Sequence, residues 1–173
     1  MFSNKKEVNK MKIIVKNKFV SWGGSSKVED EAGNPLFRVK GKVFSWTKKK
    51  TLLDMDGNVL YRIRNKWPTF LLHSAFICDK QGNKLCKVKQ NFMNFSNLYA
   101  VQETNENIQI NGYILSGMQV TRNGQYIGTI TKKFWTLRDY FVLDVPDGQD
   151  PTFLIALTIA IDNIGDKTKN QSR

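Results

Sequence analysis

The sequence predicts a mainly β protein, an antiparallel sheet curled around one buried hydrophobic helix near the C-terminus. Three observations carry this expectation. A glycine-centred hairpin unit recurs along the chain, no helical periodicity appears before Asp150, and Phe153 to Ile161 reads Phe-Leu-Ile-Ala-Leu-Thr-Ile-Ala-Ile with no charge on any face. A helix that is apolar all round must be enclosed by protein or by lipid. The run from Thr152 to Ile161 spans only about 15 Å as a helix, whereas a bilayer core takes roughly 20 apolar residues, so protein is the expected envelope.

Taken in order, residues 1–11 read as a polar tail, 12–165 as one domain and 166–173 as a second polar tail. The polar start holds no apolar segment of a secretory signal, and the expected location is cytoplasmic, with peripheral attachment at the inner membrane surface. Lys12 to Trp22 is β-branched and aromatic, as strands are, and Gly23-Gly24-Ser25-Ser26 is a turn signal. The repeated unit follows, best seen by aligning Gly33, Gly57, Gly82 and Gly124. Asn34, Asn58 and Asn83 follow the first three and Asn123 precedes the fourth; Asp30, Asp54 with Asp56, and Asp79 stand just before the first three turns. Such pairs supply the positive φ angles of tight hairpins.

Three residues beyond each glycine comes an aliphatic (Leu36, Leu60, Leu85, Ile127), six beyond another (Val39, Ile63, Val88, Ile130), and ten beyond a large apolar residue (Val43, Trp67, Phe92, Phe134). Five and seven beyond, the first three copies carry Arg38 and Lys40, Arg62 and Arg64, Lys87 and Lys89. Side chains alternate between the faces of a strand, so these bases share one face while Phe37, Tyr61 and Cys86 share the other with Val39, Ile63 and Val88. Further strand-like runs are Val43–Trp46, Thr51–Leu53, Phe70–Cys78, Leu98–Gln102, Gly112–Val120 and Tyr140–Val145. The helix then has Asp150 as N-cap, Pro151 in its first turn and Gly165 as its stop, a central helix over 151–164. Closing the sheet into a barrel removes exposed strand edges.

The stretch Gly128-Thr-Ile-Thr-Lys-Lys-Phe-Trp-Thr-Leu-Arg-Asp-Tyr-Phe-Val-Leu-Asp144, the Asp150–Asp162 segment ending Ala160-Ile161-Asp162, and the repeated Asp-x-x-Gly-Asn hairpins together resemble the LURP-one-related family of the tubby C-terminal-like superfamily, similar in fold to phospholipid scramblases. The resemblance runs from about Lys12 to Ile164. It implies a closed antiparallel barrel of about twelve strands around the C-terminal helix. Tubby-like members bind phosphoinositide head groups through basic residues on the barrel surface, and scramblase-like members are linked to lipid transfer. No lipid pocket of the family aligns onto particular positions here.

Composition sets the class of partner. Lys and Arg number 27 against 15 Asp and Glu, a net charge of +12, which draws a protein toward anionic lipid, nucleic acid or acidic partners. Catalysis and metal binding have little to stand on. The one histidine, His73, lies within a strand-like run without a Gly-x-Ser-x-Gly elbow; His73, Cys78 and Cys86 lack paired zinc-site spacing; and Asp54-Met-Asp56-Gly57 lacks the further ligands of a calcium loop. No cofactor is expected. Cys78 and Cys86, placed either side of Gly82, are expected to face each other across a hairpin as free thiols.

The candidate site is therefore cationic: Arg38, Lys40, Arg62, Arg64, Lys66, Lys87 and Lys89, with Lys132 and Lys133 as a separate cluster. Lys42 and the Lys48-Lys49-Lys50 run adjoin them. Such a set suits multivalent anions, above all phospholipid or phosphoinositide head groups at a membrane surface, and arginine grips phosphate bidentately. The same alternation of bases also solvates a strand and discourages edge pairing. Phe44, Trp46, Trp67, Phe92, Phe95, Phe134 and Trp135 interleave with the bases, as a nucleic-acid binder would place stacking groups. Nucleic acid and a protein-interaction scaffold are the alternatives to lipid. Asp162, close to the end of the predicted helix, is expected to be solvated at the barrel mouth or paired with a base such as Arg138.

Overall fold

The computed structural model describes residues 10–16, 26–41, 49–66, 73–91, 98–135 and 138–171. They form twelve strands and one helix: β1 (Lys10–Lys16), β2 (Ser26–Asp30), β3 (Pro35–Gly41), β4 (Lys50–Leu53), β5 (Val59–Asn65), β6 (Ser74–Cys78), β7 (Lys84–Gln90), β8 (Tyr99–Gln102), β9 (Ile108–Tyr113), β10 (Gly117–Arg122), β11 (Gln125–Trp135), β12 (Arg138–Pro146) and α1 (Thr152–Gln171). All ladders are antiparallel and run β8-β7-β6-β5-β4-β3-β2-β1-β12-β11-β10-β9. The first and last members, β8 and β9, lie against each other, so the sheet is a nearly closed barrel with one seam.

Three of the hairpins are built alike. The backbone N–H and side-chain amide of Asn34 both donate to the carboxylate of Asp30 at 2.8 Å, and Asn58 repeats this on Asp54. Asn83 does the same on Asp79 at 2.8 and 2.9 Å. These bonds hold all three aspartates below the usual carboxylate range, the Asn side-chain amide contributing most. The aliphatic three residues after each glycine has a role that alternation alone does not explain. Glu29 pairs with Pro35 but Val28 with Phe37, leaving Leu36 as the extra residue of a bulge; Leu60, Leu85 and Ile127 fall at the same place in their hairpins. A bulge shifts the pleat by one residue; beyond it the fourth and sixth residues after glycine share the inner face by alternation.

The register set at the turn keeps the two thiols apart. Cys86 stands opposite Ile77 and Cys78 opposite Lys84, so the cysteines do not face each other across the hairpin; both are free and buried. The run Gly112–Val120 is not one strand either. The chain reverses at residues 114–116, and Gly112 and Gly117 take φ of 105° and 122°, angles that glycine adopts at no steric cost. Strand starts also differ from expectation: β1 begins at Lys10, two residues before Lys12, and β6 begins at Ser74, leaving His73 outside the strand expected over Phe70–Cys78. Expected strand residues 17–22, 43–46 and 70–72 lie outside the described residues.

The helix occupies the barrel as its composition requires: residues 153–164 are all buried. Asp150 caps it, accepting from the Thr152 N–H at 2.9 Å and the Thr152 hydroxyl at 2.7 Å. Thr152 thus bonds the cap, while Thr158 bonds back to the Leu154 carbonyl at 2.8 Å. The expected stop at Gly165 is not observed. The helix continues to Gln171, Gly165 has no left-handed φ, and the sequence after it contains no proline to halt the helix. Asp162 consequently sits well inside the helix, and its partner is Lys50 at 3.0 Å. The Arg138 side chain lies outside the described residues.

Candidate anion-binding face

The topology sorts the connections between two ends of the barrel. The Asp–Asn turns, residues 103–107, the Asn123-Gly124 turn and the segment leading into the helix all lie at one end, here the turn end. Strands β3, β5, β7 and β11 run away from it and finish at the opposite end, the rim.

On the outer wall the structure brings the predicted hairpin bases together. Lys40 pairs across Thr51 with Arg62, and Arg64 pairs across Phe76 with Lys87; Ser74 stands beside Lys89. With neighbouring strands roughly 4.8 Å apart, these side chains form one continuous field over β3 to β7. Arg38, Lys40, Arg62, Arg64 and Lys66 are exposed and Lys87 and Lys89 half-buried, while Val39, Ile63 and Val88 between them are buried. Phe76 lies within this field with the Arg64 guanidinium 5.2 Å and the Lys84 ammonium 5.4 Å from its ring centre.

The field is not uniform. Near the turn end, Lys84 and Lys87 converge on Glu103 at 2.6 and 3.0 Å, and their hydrogen bonds hold Glu103 down to about 2. Arg62 donates to the Lys80 carbonyl at 3.0 Å. Among the described residues, Arg38, Lys40, Arg64, Lys66 and Lys89 have no carboxylate within salt-bridge distance.

Two predicted members belong elsewhere. Lys132 and Lys133 lie on β11, which β12, β1 and β2 separate from β3. Lys132 points inward at the rim, bonded to Asp139 at 2.9 Å and set against Phe134 and Phe141; Lys133 is exposed. Lys50 has likewise turned inward to Asp162, whereas Lys49 is exposed. The strand period carried this signal, since Lys50 stands two residues before buried Leu52 and Lys132 two after buried Ile130. Lys42, Lys48 and the aromatics at 44, 46, 67, 92 and 95 lie outside the described residues.

Carboxylates are arranged in the opposite sense along the barrel. Asp30, Glu31, Asp54, Asp56, Asp79, Glu103, Glu106, Asp147 and Asp150 all belong to turn-end connections or their flanks. At the rim the described carboxylates are Asp139 and Asp162, each bonded to a lysine. Alternation of side chains does not reveal this axial separation; it emerges only when the strand directions are known.

A cavity of about 280 Å³ opens beside the turn end, lined by Cys86, Glu106, Ile108, Arg122 and Phe153 among others. Both of its cations are already occupied: Arg122 grips Glu106 bidentately at 2.7 and 2.9 Å and lies 4.7 Å from the Phe153 ring centre, and Lys84 bonds Glu103 at 2.6 Å. Burial pushes the Cys86 thiol up to about 12, the state of a packed thiol and not of a nucleophile. His73 is buried, its carbonyl accepting from the Gln90 N–H at 3.1 Å. No group of His, Cys, Asp and Glu among the described residues is arranged to hold a metal, and no helix among them is long and apolar enough to cross a membrane.

Comparison with known proteins places this barrel. The LURP-one-related family model matches residues 11–162. The chain belongs to the LURP-one-related family. The X-ray structure of a protein from Arabidopsis thaliana shares the fold, with a TM-score of 0.60 at 20% identity over 91% of this chain and 93% of that one. No curated protein matches the chain. The family match covers the bulged hairpins, the Gly128–Asp144 stretch and most of the buried part of the helix.

Proposed function

We propose that residues 12–165 form one non-enzymatic binding domain that recognises anionic phospholipid or phosphoinositide head groups at the cytoplasmic face of a membrane. The observation that carries this reading is the cationic field on β3 to β7, in which Arg38, Lys40, Arg64, Lys66 and Lys89 have no described carboxylate partner. Each such base near an anionic surface contributes on the order of 1 kcal/mol, and the planar arginines add bidentate contacts to phosphate. Family membership supports a barrel whose surface binds rather than reacts, and among the described residues no acid–base or nucleophile set competes with that reading. Lys132, bonded to Asp139, contributes little, while Lys133 remains available at the rim.

The test is flotation with vesicles of graded anionic lipid content at low salt. Binding that rises with anionic lipid supports the reading; no binding at low salt, where screening is weakest, refutes it. Anisotropy with single-stranded oligonucleotides, in the same buffer, separates lipid from nucleic acid. Tighter binding to the oligonucleotide than to anionic vesicles would overturn the assignment.

A further inference from the structure

The outer field occupies a wall, yet the large apolar side chains most exposed among the described residues are elsewhere. Phe134 is 64% exposed, Tyr113 56% and Leu115 55%. They form one corner. Tyr113 and Leu115 flank Ile114 at the reversal between β9 and β10, and the Ile114 carbonyl accepts from the Lys132 N–H at 2.7 Å, two residues before Phe134 on β11. This corner is at the rim, beside exposed Lys133. In the sheet order β10 lies five strands from β5 by way of β8 and β9 and seven by way of β1, so the corner is nearly across the barrel from the centre of the cationic field. A membrane lying flat on that wall cannot also touch the corner.

We infer that the barrel docks end-on, with its rim on the anionic bilayer and Tyr113, Leu115 and Phe134 inserted at the head-group level. The cations that meet lipid first are then the rim-proximal ones, Lys40, Arg64, Lys66, Lys89 and Lys133, with Arg38 and Arg62 set further back along their strands. This deepens the lipid reading and rests on it. Charge complementarity selects the occupant. Rim carboxylates among the described residues are neutralised by lysines and the other bases there face outward, while the acidic turns lie at the far end, where they would repel the same surface. An apolar protrusion bordered by bases suits the interface of a bilayer, where aromatic rings are favoured at head-group depth. The hairpin is built to keep its shape: a Cβ on Gly112 would come within 2.5 Å of the Gly117 carbonyl oxygen, so the tip is held by a tight backbone closure.

An environment-sensitive fluorophore tests this. Leu115→Cys carries the probe at the corner and Gln81→Cys carries it at the turn end; Cys78 and Cys86 are buried, so labelling of the native protein is selective. Vesicles of phosphatidylcholine with phosphatidylserine should shift the Leu115→Cys probe to the blue and leave the Gln81→Cys probe unchanged, while phosphatidylcholine alone shifts neither. In unlabelled protein, Lys40→Gln with Lys89→Gln should lower vesicle partition about 25-fold, roughly fivefold per base, and Lys10→Gln with Lys80→Gln, two exposed bases at the turn end, less than twofold. Flotation with an unshifted corner probe would overturn end-on docking and leave the lipid reading intact. Absence of flotation overturns both. A corner probe that shifts without lipid as protein concentration rises would assign the patch to a second copy of the chain.

Discussion

Replacing Gly128 with alanine tests the contact on which the barrel closes over its helix. Gly128 has φ of 147°, and a Cβ there would stand 2.6 Å from a Leu154 methyl carbon and 2.7 Å from the Asp144 carbonyl oxygen. The backbone conformation is one that only glycine adopts freely, at a cost of about 1–3 kcal/mol for any other residue, and forcing a methyl group into a filled core adds about 1–3 kcal/mol. The sum, about 2–6 kcal/mol, is a large part of the roughly 5–15 kcal/mol that holds a domain together, and corresponds to a fall in Tm on the order of 5–20 °C. Gly33→Ala is the control. Its φ is 85° but nothing lies within 4 Å of the added carbon, so only the conformational cost of about 1–2 kcal/mol applies. Urea unfolding followed by tryptophan fluorescence compares the two. Equal losses would mean that β11 does not press on the helix at Leu154, and the packing described here would be wrong.

Other consequences of the structure can be measured as directly. Ala156 is fully buried, and Ala156→Asp places a carboxylate in the core at a cost of several kcal/mol, so the variant should be insoluble or unfolded; a soluble, cooperatively folding Ala156→Asp protein would show that the helix is outside the barrel. Glu103 is held at about 2 by hydrogen bonds from Lys84 and Lys87, below its ordinary 4.5. A depressed carboxylate stabilises the fold above its unfolded value, and that stabilisation is lost as pH falls through the folded value, here from about 4.5 to about 2. Acid unfolding should therefore be less steep in Glu103→Gln over that window; identical titrations would contradict the assigned bonds. Both thiols should resist a disulfide-exchange reagent in native buffer and react in urea, and rapid native labelling of two cysteines per chain would contradict their burial. Gly112→Ala should disturb the corner hairpin, read as a loss of the blue shift at a Leu115→Cys probe with little change in helix content by circular dichroism.

Much of this fold is legible in residue order because its determinants are local. Asp30, Asp54 and Asp79 bond the asparagine four residues on, and Phe153 to Ile161 declares its enclosure by lacking any polar face. What was not legible depends on register or on angles. Leu36, Leu60, Leu85 and Ile127 look like ordinary core positions of the repeat, and only the ladder shows that they are the bulged residues. Leu85, 40% exposed, departs from a core pattern for that reason. The reversal at 114–116 was not legible because the Asn111-Gly112 pair before it lies in the β9 ladder and not in the turn, and the helix passes Gly165 because glycine permits a left-handed stop without imposing one.

The candidate site divides the same way. Exposure of Arg38, Lys40, Arg62 and Arg64 follows from period two. The capture of Lys50 by Asp162 joins positions 112 residues apart, and the separation of acidic turns from the basic rim depends on which end of the barrel each connection occupies. The corner of Tyr113, Leu115 and Phe134 was missed because its members come from two hairpins, and hydrophobic residues in strands read first as core.

The central claim, that the cationic field and rim meet an anionic lipid surface, is tested most directly by the partition of the unmodified protein onto phosphatidylserine-containing and pure phosphatidylcholine vesicles across a salt series. At ~0.01 M salt, where charges act over about 30 Å, the protein should bind the anionic vesicles strongly and the neutral ones weakly; at ~1 M, with a range of about 3 Å, the difference should nearly vanish. Equal binding to both lipids at low salt, or binding to neither, would contradict the account.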